Sequence, residues 1–445
     1  MTRGLFYVET FGCQMNEQDT LRMSERLAGA GYLKTDDLTK AALILVNTCS
    51  IRKKAEEKAY SLIGRLRTIK RHKPHTIIAV AGCVAQQEGA RLLERMPFID
   101  IVCGPHYVGR VEELLERFRI AQKGIVEVSQ ARGADGLDCE GIPGPSGLKA
   151  YVTIMEGCNN FCAYCVVPYV RGTERSRPYL SITREVQHLI RRGVKDITLL
   201  GQNVNSYTPG SPEGFGFADL LRRLAGTEGM ERLRFTTSHP KDLSEALVAC
   251  YGELTPLCEH IHLPLQSGSD KILAAMNREY TVDQYRKNVE RLRARIPEIA
   301  ITSDIIVGFP GETEKDFNET LQAVKEIRFD NLFSFTYSPR PGTKASLIQE
   351  TLSDEEKGRR LRELQACQGS ITLQAHQRMV GMRVEVLVEG MHKESQQLTG
   401  RTRTNTIVNF AGPERLMGQR CEVEIVRGCK NSLVGCYHES FPKNG

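Results

Sequence analysis

The 445-residue chain contains no run of apolar residues that approaches eighteen in length. Since a helix needs about 20 apolar residues to cross a bilayer, no membrane-spanning segment is expected. The chain also lacks an apolar signal region, because Met1–Gly4 leads directly into Leu5–Val8, which has the character of a strand. No secretory signal is therefore predicted, and the protein is expected to be cytoplasmic.

Disulfide bonds are not expected either, although the chain contains fourteen cysteines. In a chain without a secretory signal, cysteines are typically reduced thiols or metal ligands. The composition is that of a soluble protein, with 40% hydrophobic and 26% charged residues. A chain of this length is expected to divide into roughly two to four domains.

The formal net charge of +6 is unevenly distributed. Residues 52–73 alone carry nine Lys and Arg against two Glu, which gives this segment a net charge of +7. Its apolar residues recur at helical spacing and would form a single stripe: Ala55, Ala59, Leu62, Leu66 and Ile69. Two interpretations are equally well supported, a solvated amphipathic helix or an electrostatic footprint for a polyanion such as RNA.

Three cysteines lie within eight residues, at Cys158, Cys162 and Cys165, in the spacing C-x3-C-x2-C. A short loop of this kind lets three thiolates converge on one soft metal centre. Zinc takes four protein ligands or keeps a water, whereas a 4Fe–4S cluster can bind three thiolates and leave one iron open. We interpret the motif as a three-cysteine 4Fe–4S site, with a structural zinc site as the alternative.

The first third of the chain contains three more regularly spaced cysteines. Each follows an apolar run that has the character of a strand: Phe6–Val8 before Cys13, Leu43–Val46 before Cys49, and Ile77–Val80 before Cys83. Helical stretches around residues 18–30 and 54–70 separate the runs, so the pattern predicts βαβαβ with a parallel sheet. The carboxyl ends of such strands share one edge, where a second three-thiolate cluster is expected. Cys103 also ends an apolar run, but a buried strand cysteine is favoured there over a fourth ligand.

The middle of the chain alternates apolar segments with amphipathic helical stretches. Six segments are predicted strands: Tyr151–Met155, Asp196–Leu200, Leu233–Thr237, His260–Leu265, Ile299–Val307 and Leu332–Tyr337. Six βα units fit a partial (βα)6 version of a TIM-type barrel, whose active face lies at the carboxyl ends of the strands. The polar segments there, including Gly201-Gln202-Asn203, outline a pocket for a nucleotide-like cofactor. For His239 and His262, a structural hydrogen bond is the favoured interpretation.

The fold class is therefore an α/β multidomain protein. We predict an N-terminal parallel αβ-sheet domain over residues 1–125, a Gly- and Pro-rich linker over 126–147, the partial barrel over 148–378, and a small OB-like β-barrel over 379–445. Short strand-like segments support the last domain: Arg383–Val388, Thr406–Phe410 and Cys421–Ile425. Its residues Lys393, Arg401 and Arg403 either contact RNA phosphates or belong to a solvated rim.

Together these motifs resemble the radical S-adenosylmethionine methylthiotransferases. The resemblance rests on the three-cysteine motif with Tyr164 before its last cysteine, and on three segments around the single cysteines: Phe11–Asn16, Asn47–Ser50 and Ala81–Val84. The C-terminal barrel is similar to the TRAM domain of that family. The resemblance covers nearly the whole chain, and the six-cysteine pattern is complete.

The resemblance implies two 4Fe–4S clusters and S-adenosylmethionine as cofactors. Cys158, Cys162 and Cys165 would hold the cluster that cleaves S-adenosylmethionine to a 5′-deoxyadenosyl radical, and Cys13, Cys49 and Cys83 an auxiliary cluster that carries sulfur. Tyr164, Gly201, Gln202 and Asn203 are expected at the S-adenosylmethionine site. The chain has no flavin or nicotinamide signature, so an external reductant such as a flavodoxin- or ferredoxin-like protein is expected, together with a sulfur donor.

Several segments most resemble the branch of the family that modifies tRNA: Gln14–Asn16, Val166–Tyr169, Gly201–Asn205, Phe235–Pro240 and Ser338–Gly342. That branch methylthiolates C2 of N6-isopentenyladenosine in the anticodon stem-loop. A sister enzyme that acts on N6-threonylcarbamoyladenosine is the alternative, since no residue pattern by itself identifies the base. A non-catalytic iron–sulfur protein that senses and binds RNA is a second alternative.

Overall fold

The computed structural model describes residues 3–50, 53–129, 147–210, 214–392 and 396–438. A parallel sheet domain, a half-open barrel and a closed β-barrel follow one another along the chain. This order confirms the predicted fold class. Most of the predicted linker lies outside the described residues. No helix in the described ranges is long and apolar enough to cross a membrane.

The first domain is a parallel sheet with the strand order β2-β1-β3-β4-β5-β6. Its strands are β1 (Gly4–Thr10), β2 (Tyr32–Lys34), β3 (Leu43–Thr48), β4 (Ile77–Gly82), β5 (Ile101–Cys103) and β6 (Ile125–Glu127). Its helices are α1 (Gln14–Gly29), α2 (Lys53–His72), α3 (Cys83–Glu88), α4 (Ala90–Arg95) and α5 (Val111–Ala121), with a 3-10 turn at Pro105–Arg110.

Both central strands of this sheet, β3 and β4, are buried along their whole length. Separate apolar clusters cover the two faces of the sheet, which explains why these strands are continuous apolar runs without alternation. The three predicted strands are confirmed. The apolar run that ends at Cys103 forms β5, as the favoured interpretation of Cys103 as a strand cysteine implied. Two other strands of three residues each, β2 and β6, were missed, since so short a segment shows no periodicity. The sheet extends to Glu127, two residues past the predicted boundary.

The middle domain begins with β7 and ends with a long helix. Its strands are β7 (Lys149–Thr153), β8 (Met155–Glu156), β9 (Arg175–Ser176), β10 (Asp196–Leu200), β11 (Arg232–Phe235), β12 (His260–His262), β13 (Ala300–Val307) and β14 (Asn331–Thr336). Its helices are α6 (Val167–Val170), α7 (Tyr179–Arg191), α8 (Phe217–Ala225), α9 (Glu245–Glu253), α10 (Asp270–Ala275), α11 (Val282–Arg295), α12 (Glu314–Ile327) and α13 (Asp354–Arg378).

Six of these strands form the wall of an incomplete barrel, as predicted. They pair in two parallel sheets, β11-β10-β7 and β12-β13-β14, and a single bridge between Leu233 and Leu257 continues β11 toward the second sheet. The outer faces of the strands pack with the helices in one large apolar core. Since β7 and β14 do not pair with each other, the barrel is open on that side.

The third domain is a closed barrel with the strand order β15-β16-β17-β19-β18. Its strands are β15 (Arg383–Met391), β16 (Leu398–Thr402), β17 (Ile407–Ala411), β18 (Arg420–Gly428) and β19 (Leu433–Tyr437). Three of the five were predicted, and β16 and β19 were missed. Its small core of Val, Leu, Ile and Phe side chains is separate from the core of the middle domain.

The turn between β16 and β17 packs against the amino ends of strands β11 and β12 in the middle domain. Arg234 of β11 donates to the carbonyl oxygens of Thr402, at 2.9 Å, and Arg403, at 2.7 Å. The Arg403 guanidinium in turn pairs with Glu259 at 2.7 Å. The C-terminal barrel therefore covers the end of the half-open barrel that lies opposite the carboxyl ends of the strands.

Candidate active site

The loop from Cys158 to Cys165 lies between β8 and α6, and its start is held by hydrogen bonds. Gly157 has a φ of +79°, and its N–H donates to the Gln202 side-chain oxygen at 2.7 Å. The N–H of Cys158 donates to the Gly172 carbonyl at 3.1 Å, and that of Cys165 to the Cys162 carbonyl at 2.9 Å. These contacts fix the backbone from which the three thiols project.

Replacing Gly157 by alanine is expected to remove about half of the bound iron. The new Cβ would lie 2.0 Å from the Thr173 carbonyl oxygen, and a side chain at positive φ is strained as well. The measurement is iron per chain with the visible absorption spectrum after anaerobic reconstitution. Gly64→Ala is the control, since a Cβ there meets nothing within 4 Å. An iron content equal to that of the wild type would contradict a role for this turn.

Arg278 places a positive charge against this loop. It is buried, with 4% of its surface exposed, and its Nη1 lies 3.4 Å from Cys162 Sγ and 3.4 Å from the Tyr164 hydroxyl. A second guanidinium nitrogen donates to the Pro264 carbonyl at 3.0 Å, which holds the group in place. Arg278 could not be predicted from the sequence, because nothing in the residues around it marks a contact more than a hundred positions away.

Burial favours the protonated forms of the Cys158 and Cys165 thiols in the absence of a metal. It raises the pKa of Cys158 to about 11 and that of Cys165 to about 12, while the positive charge of Arg278 acts in the opposite direction on both. Metal binding must release these protons. Three soft donors and one buried cation fit an anionic iron–sulfur cluster.

Unpaired polar atoms surround the carboxyl ends of the barrel strands. Five buried atoms have no hydrogen-bond partner among the described residues: Asn203 Oδ1, Ser238 Oγ, His239 Nε2, Gln266 Oε1 and the Tyr337 hydroxyl. They follow four different strands, β10, β11, β12 and β14. Buried polar atoms normally have partners, so this set fits a polar cofactor such as S-adenosylmethionine.

The residues predicted to contact the cofactor lie at this edge but differ in what they do. Gln202 supports Gly157, and the Asn203 amide nitrogen donates to Asp242 at 2.7 Å while its oxygen stays unpaired. A Cβ at Gly201 would lie 2.5 Å from the Met155 side chain, so the absence of a side chain at Gly201 lets Met155 pack closely against the backbone. Tyr164 is half-buried and packs against the small apolar cluster that contains Phe309 and Tyr337. Their contact with S-adenosylmethionine stays a prediction.

The two histidines make the structural hydrogen bonds that were favoured for them. Nδ1 of His239 accepts from the Lys241 N–H at 3.3 Å, and burial lowers the pKa of His239 to about 2. His262 bonds to Thr302 at 3.0 Å. His239 also presents its unpaired Nε2, which the sequence did not indicate.

The second cysteine triad lies at the carboxyl ends of β1, β3 and β4, as the repeat predicted. Gly12, with a φ of +120°, lets the chain approach Cys49, because a Cβ there would lie 2.6 Å from Cys49 Sγ. A hydrogen bond with Cys49 lowers the pKa of Cys13 to about 6. Cys83 packs against Val166 and Val170, directly after the first triad. The two triads therefore lie near each other across the domain boundary.

Cys103 does not join this triad. It lies in the apolar core under the sheet, and burial raises its pKa to about 12. Cys103 is therefore a small hydrophobic residue of the strand, which was the favoured interpretation. Within the described ranges, no group of three or more Cys, His, Asp or Glu residues is arranged to hold a single metal ion. Sulfurs that bind separate irons of a cluster lie farther apart than ligands of one ion, so this finding concerns mononuclear sites.

A buried ion-pair network connects the two triads. Arg171 donates to Asp19 at 2.6 Å and to Asn16 at 3.2 Å. Glu156 lies 3.6 Å from Arg22 and 3.2 Å from Arg175. Arg171, which also acts on the thiols of Cys13 and Cys83, places positive charge beside the second triad. A cluster that carries negative charge would be stabilised there.

The predicted RNA contacts occupy different environments. Lys393 lies outside the described residues. Arg401 donates to the Asn405 carbonyl at 3.2 Å, whereas the Arg403 side chain is bonded to Glu259 and to the carbonyls of Thr255 and Leu257. RNA would have to compete with the middle domain for Arg403. The basic segment forms α2, as predicted, and Glu56 on it pairs with Arg340 at 2.8 Å.

Three family models match consecutive parts of the chain. They are the Uncharacterized protein family UPF0004 at residues 5–104, the Radical SAM superfamily at residues 152–324 and the TRAM domain at residues 377–435. They correspond to the sheet domain, the half-open barrel and the closed barrel.

Curated relatives match over nearly the full length. The tRNA-2-methylthio-N(6)-dimethylallyladenosine synthase of Geobacter metallireducens is 49% identical over 438 residues, which is 97% of this chain and 98% of the relative. The protein of the same name from Syntrophus aciditrophicus is 48% identical over 96% of this chain and 93% of the relative.

Solved structures share the fold at low sequence identity. The radical S-adenosylmethionine methyltransferase TsrM from Kitasatospora setae, with a tryptophan substrate and a SAM analog bound, superimposes with a TM-score of 0.55 at 14% identity, covering 77% of this chain and 75% of that one. The cobalamin-dependent S-adenosylmethionine radical enzyme OxsB superimposes with a TM-score of 0.53 at 15% identity, covering 80% of this chain and 56% of that one.

Proposed function

Because the chain belongs to the family of tRNA-2-methylthio-N(6)-dimethylallyladenosine synthases, we propose that it adds a methylthio group to C2 of N6-dimethylallyladenosine beside the anticodon of tRNA. The observation that supports this most is the pair of cysteine triads. They lie near each other across the boundary of two domains, and both domains match the corresponding family models.

Cys158, Cys162 and Cys165 are proposed to hold one 4Fe–4S cluster, and Cys13, Cys49 and Cys83 a second. Three thiolates leave an iron open on each. With S-adenosylmethionine bound, the first cluster supplies the radical needed to break an aromatic C–H bond, which no acid or base in the chain is strong enough to break. The second supplies the sulfur. Arg278 and the Arg171 network place positive charge beside the two triads and favour the thiolate forms of the ligands.

S-adenosylmethionine is proposed to bind where the unpaired polar atoms converge, at the carboxyl ends of the strands. Asn203 Oδ1, His239 Nε2 and the Tyr337 hydroxyl offer donors and acceptors for its polar groups. His239 is neutral at physiological pH, since burial lowers its pKa to about 2. Tyr164 packs against the apolar cluster that contains Tyr337, next to the cysteine loop. Gln202 and Gly201 hold the loop and its neighbours in place.

Each domain is proposed to contribute a separate part of the activity. Residues 1–125 hold the sulfur-bearing cluster, residues 148–378 bind S-adenosylmethionine and the target base, residues 126–147 link the two, and residues 379–445 bind the anticodon stem-loop. Lys393 and Arg401 are proposed as RNA contacts of the last domain. The exposed basic face of α2 adds a second surface with the charge that RNA phosphates require.

Two partners are needed besides tRNA. An external reductant of the flavodoxin or ferredoxin type would supply electrons to the first cluster, and a sulfur donor would replenish the second. Since tRNA and such carriers are cytoplasmic, we place the enzyme in the cytoplasm.

Nucleoside mass spectrometry of tRNA tests the proposal directly. A strain without the gene is expected to lose the 2-methylthio group from dimethylallyladenosine and to regain it when the wild-type gene is restored. A chain with Cys83→Ala is the matched control and should not restore it. Loss of the group from threonylcarbamoyladenosine instead would favour the sister activity. Restoration without any release of 5′-deoxyadenosine in vitro would favour the RNA-binding sensor.

A further inference from the structure

Two aromatic side chains on β14 face the inside of the half-open barrel. In the register of β13 and β14, Asp304 pairs with Phe333 and Ile306 with Phe335. The alternate residues of β14 point outward: Leu332 packs against the main core, and Ser334 accepts a hydrogen bond from Gln365 of α13. Since side chains alternate along a strand, Phe333 and Phe335 belong to the inner face.

This aromatic pair is exposed to a degree that is unusual for a barrel wall. Phe333 is 45% and Phe335 37% exposed. β14 is also an edge strand, beside the side on which the barrel is open. Large apolar side chains in a polar cavity are a typical mark of a ligand site.

The wall around the pair is held rigidly. The ring of His262 meets Phe333 edge-to-face, with 5.9 Å between the ring centres. Nδ1 of His262 is bonded to Thr302 at 3.0 Å, and its Nε2 lies 3.4 Å from the Asp304 carboxylate. The surface therefore combines an apolar aromatic strip with one carboxylate beside it.

The position of the pair below the strand ends matches the shape of the target base. In adenine, C2 and the N6 substituent point in different directions. If C2 faces the cysteine triads at the carboxyl ends of the strands, the N6 group extends down the inner wall, first toward Phe335 and then toward Phe333. A branched, uncharged prenyl group buries apolar area against these rings.

We propose that Phe333 and Phe335 form the subsite for the N6-dimethylallyl group, and that Asp304 disfavours an anionic substituent at the same position. The inference rests on the proposed function and extends it to the residues that select the substrate. A threonylcarbamoyl group carries a carboxylate, which the Asp304 carboxylate would repel.

The test is binding of three anticodon stem-loop RNAs that differ only at the target adenosine. One carries the dimethylallyl group, one is unmodified, and one carries the threonylcarbamoyl group. Affinities are measured anaerobically by fluorescence anisotropy with the reconstituted full-length protein. The wild type is expected to prefer the prenylated RNA, and the double variant Phe333→Ala/Phe335→Ala to lose roughly tenfold or more of that preference. Affinity for the unmodified RNA should stay unchanged.

Two matched variants separate recognition from folding. The double variant Phe333→Leu/Phe335→Leu keeps the apolar surface and should keep most of the preference for the prenyl group. Ile120→Ala removes an equally apolar but remote side chain, 85% exposed on α5, and should change no affinity. A third variant, Asp304→Asn, should strengthen binding of the threonylcarbamoyl RNA relative to the prenylated RNA.

The outcomes distinguish the inference from the function on which it rests. If the alanine variant folds and binds iron but keeps the wild-type preference, the subsite is elsewhere. If the alanine variant does not fold, the leucine variant and Asp304→Asn still test the subsite. Loss of the preference for the prenylated RNA in the leucine variant would overturn the assignment. An unchanged affinity of Asp304→Asn for the threonylcarbamoyl RNA would overturn it as well. If the wild type with both clusters and S-adenosylmethionine modifies none of the RNAs, the proposed function itself is wrong.

Discussion

Replacing Cys158, Cys162 and Cys165 together by alanine is expected to halve the bound iron, from about eight to about four per chain, and to abolish release of 5′-deoxyadenosine. Replacing Cys13, Cys49 and Cys83 should also halve the iron but leave cofactor cleavage intact, while no methylthio product forms. The physical reason is that each triad binds its own cluster, and only the first lies at the carboxyl ends of the barrel strands, where S-adenosylmethionine is proposed to bind. Iron analysis and chromatography of reconstituted protein measure both effects.

Cys103→Ala is the matched control for this pair of experiments. Cys103 ends a strand of the same sheet but lies in the apolar core, so its removal should leave the iron content unchanged. Loss of all iron from either triple variant would mean that the six cysteines hold one shared centre. Stoichiometric zinc in place of iron would support the structural zinc alternative.

Replacing Arg171 by methionine is expected to destabilise the contact between the first two domains by about 3–5 kcal/mol. The substitution leaves Asp19 buried and without its cation, 2.6 Å from where the guanidinium was. Burial already raises the pKa of Asp19, and Arg171 opposes that rise. Unfolding of the metal-free protein in denaturant measures the loss.

The raised pKa of Asp19 determines how the stability loss of Arg171→Met depends on pH. When Arg171 is absent, the carboxylate must either stay charged in a buried place or take up a proton on folding. In the unfolded chain Asp19 binds no proton at neutral pH. The loss of stability is therefore largest at neutral pH, and it shrinks as the pH falls through the raised pKa of Asp19 in the folded protein. A loss that does not change with pH would indicate that Arg171 acts through packing alone.

A double variant and a second arginine provide the controls. Arg171→Met/Asp19→Asn removes both charges and should recover part of the stability that Arg171→Met loses. Arg340→Met breaks a pair with Glu56 between the same two domains, but Arg340 and Glu56 are more exposed, so a much smaller loss is expected. Equal losses for Arg171 and Arg340 would contradict a special role for the buried network.

Features of the site that depend on neighbouring residues could be predicted from the sequence. The spacing of Cys158, Cys162 and Cys165 determines how three thiols can share a loop, and the repeat of strand, cysteine and helix places Cys13, Cys49 and Cys83 on one edge of a sheet. The six barrel strands were long and apolar enough to be recognised. Strands β2 and β6, with three residues each, were too short for any periodicity to reveal them.

The order of the three domains and the two sets of three cysteines could be recognised without the fold, because strand–helix alternation and ligand spacing are local properties of the chain. Only the tertiary structure showed that Arg278 reaches Cys162, that Arg171 links the triads, that Arg403 is bonded to Glu259, and that Phe333 faces the inside of the barrel. Each of these contacts joins residues from separate elements, and the folded chain brings them together through burial and charge pairing that no local pattern records.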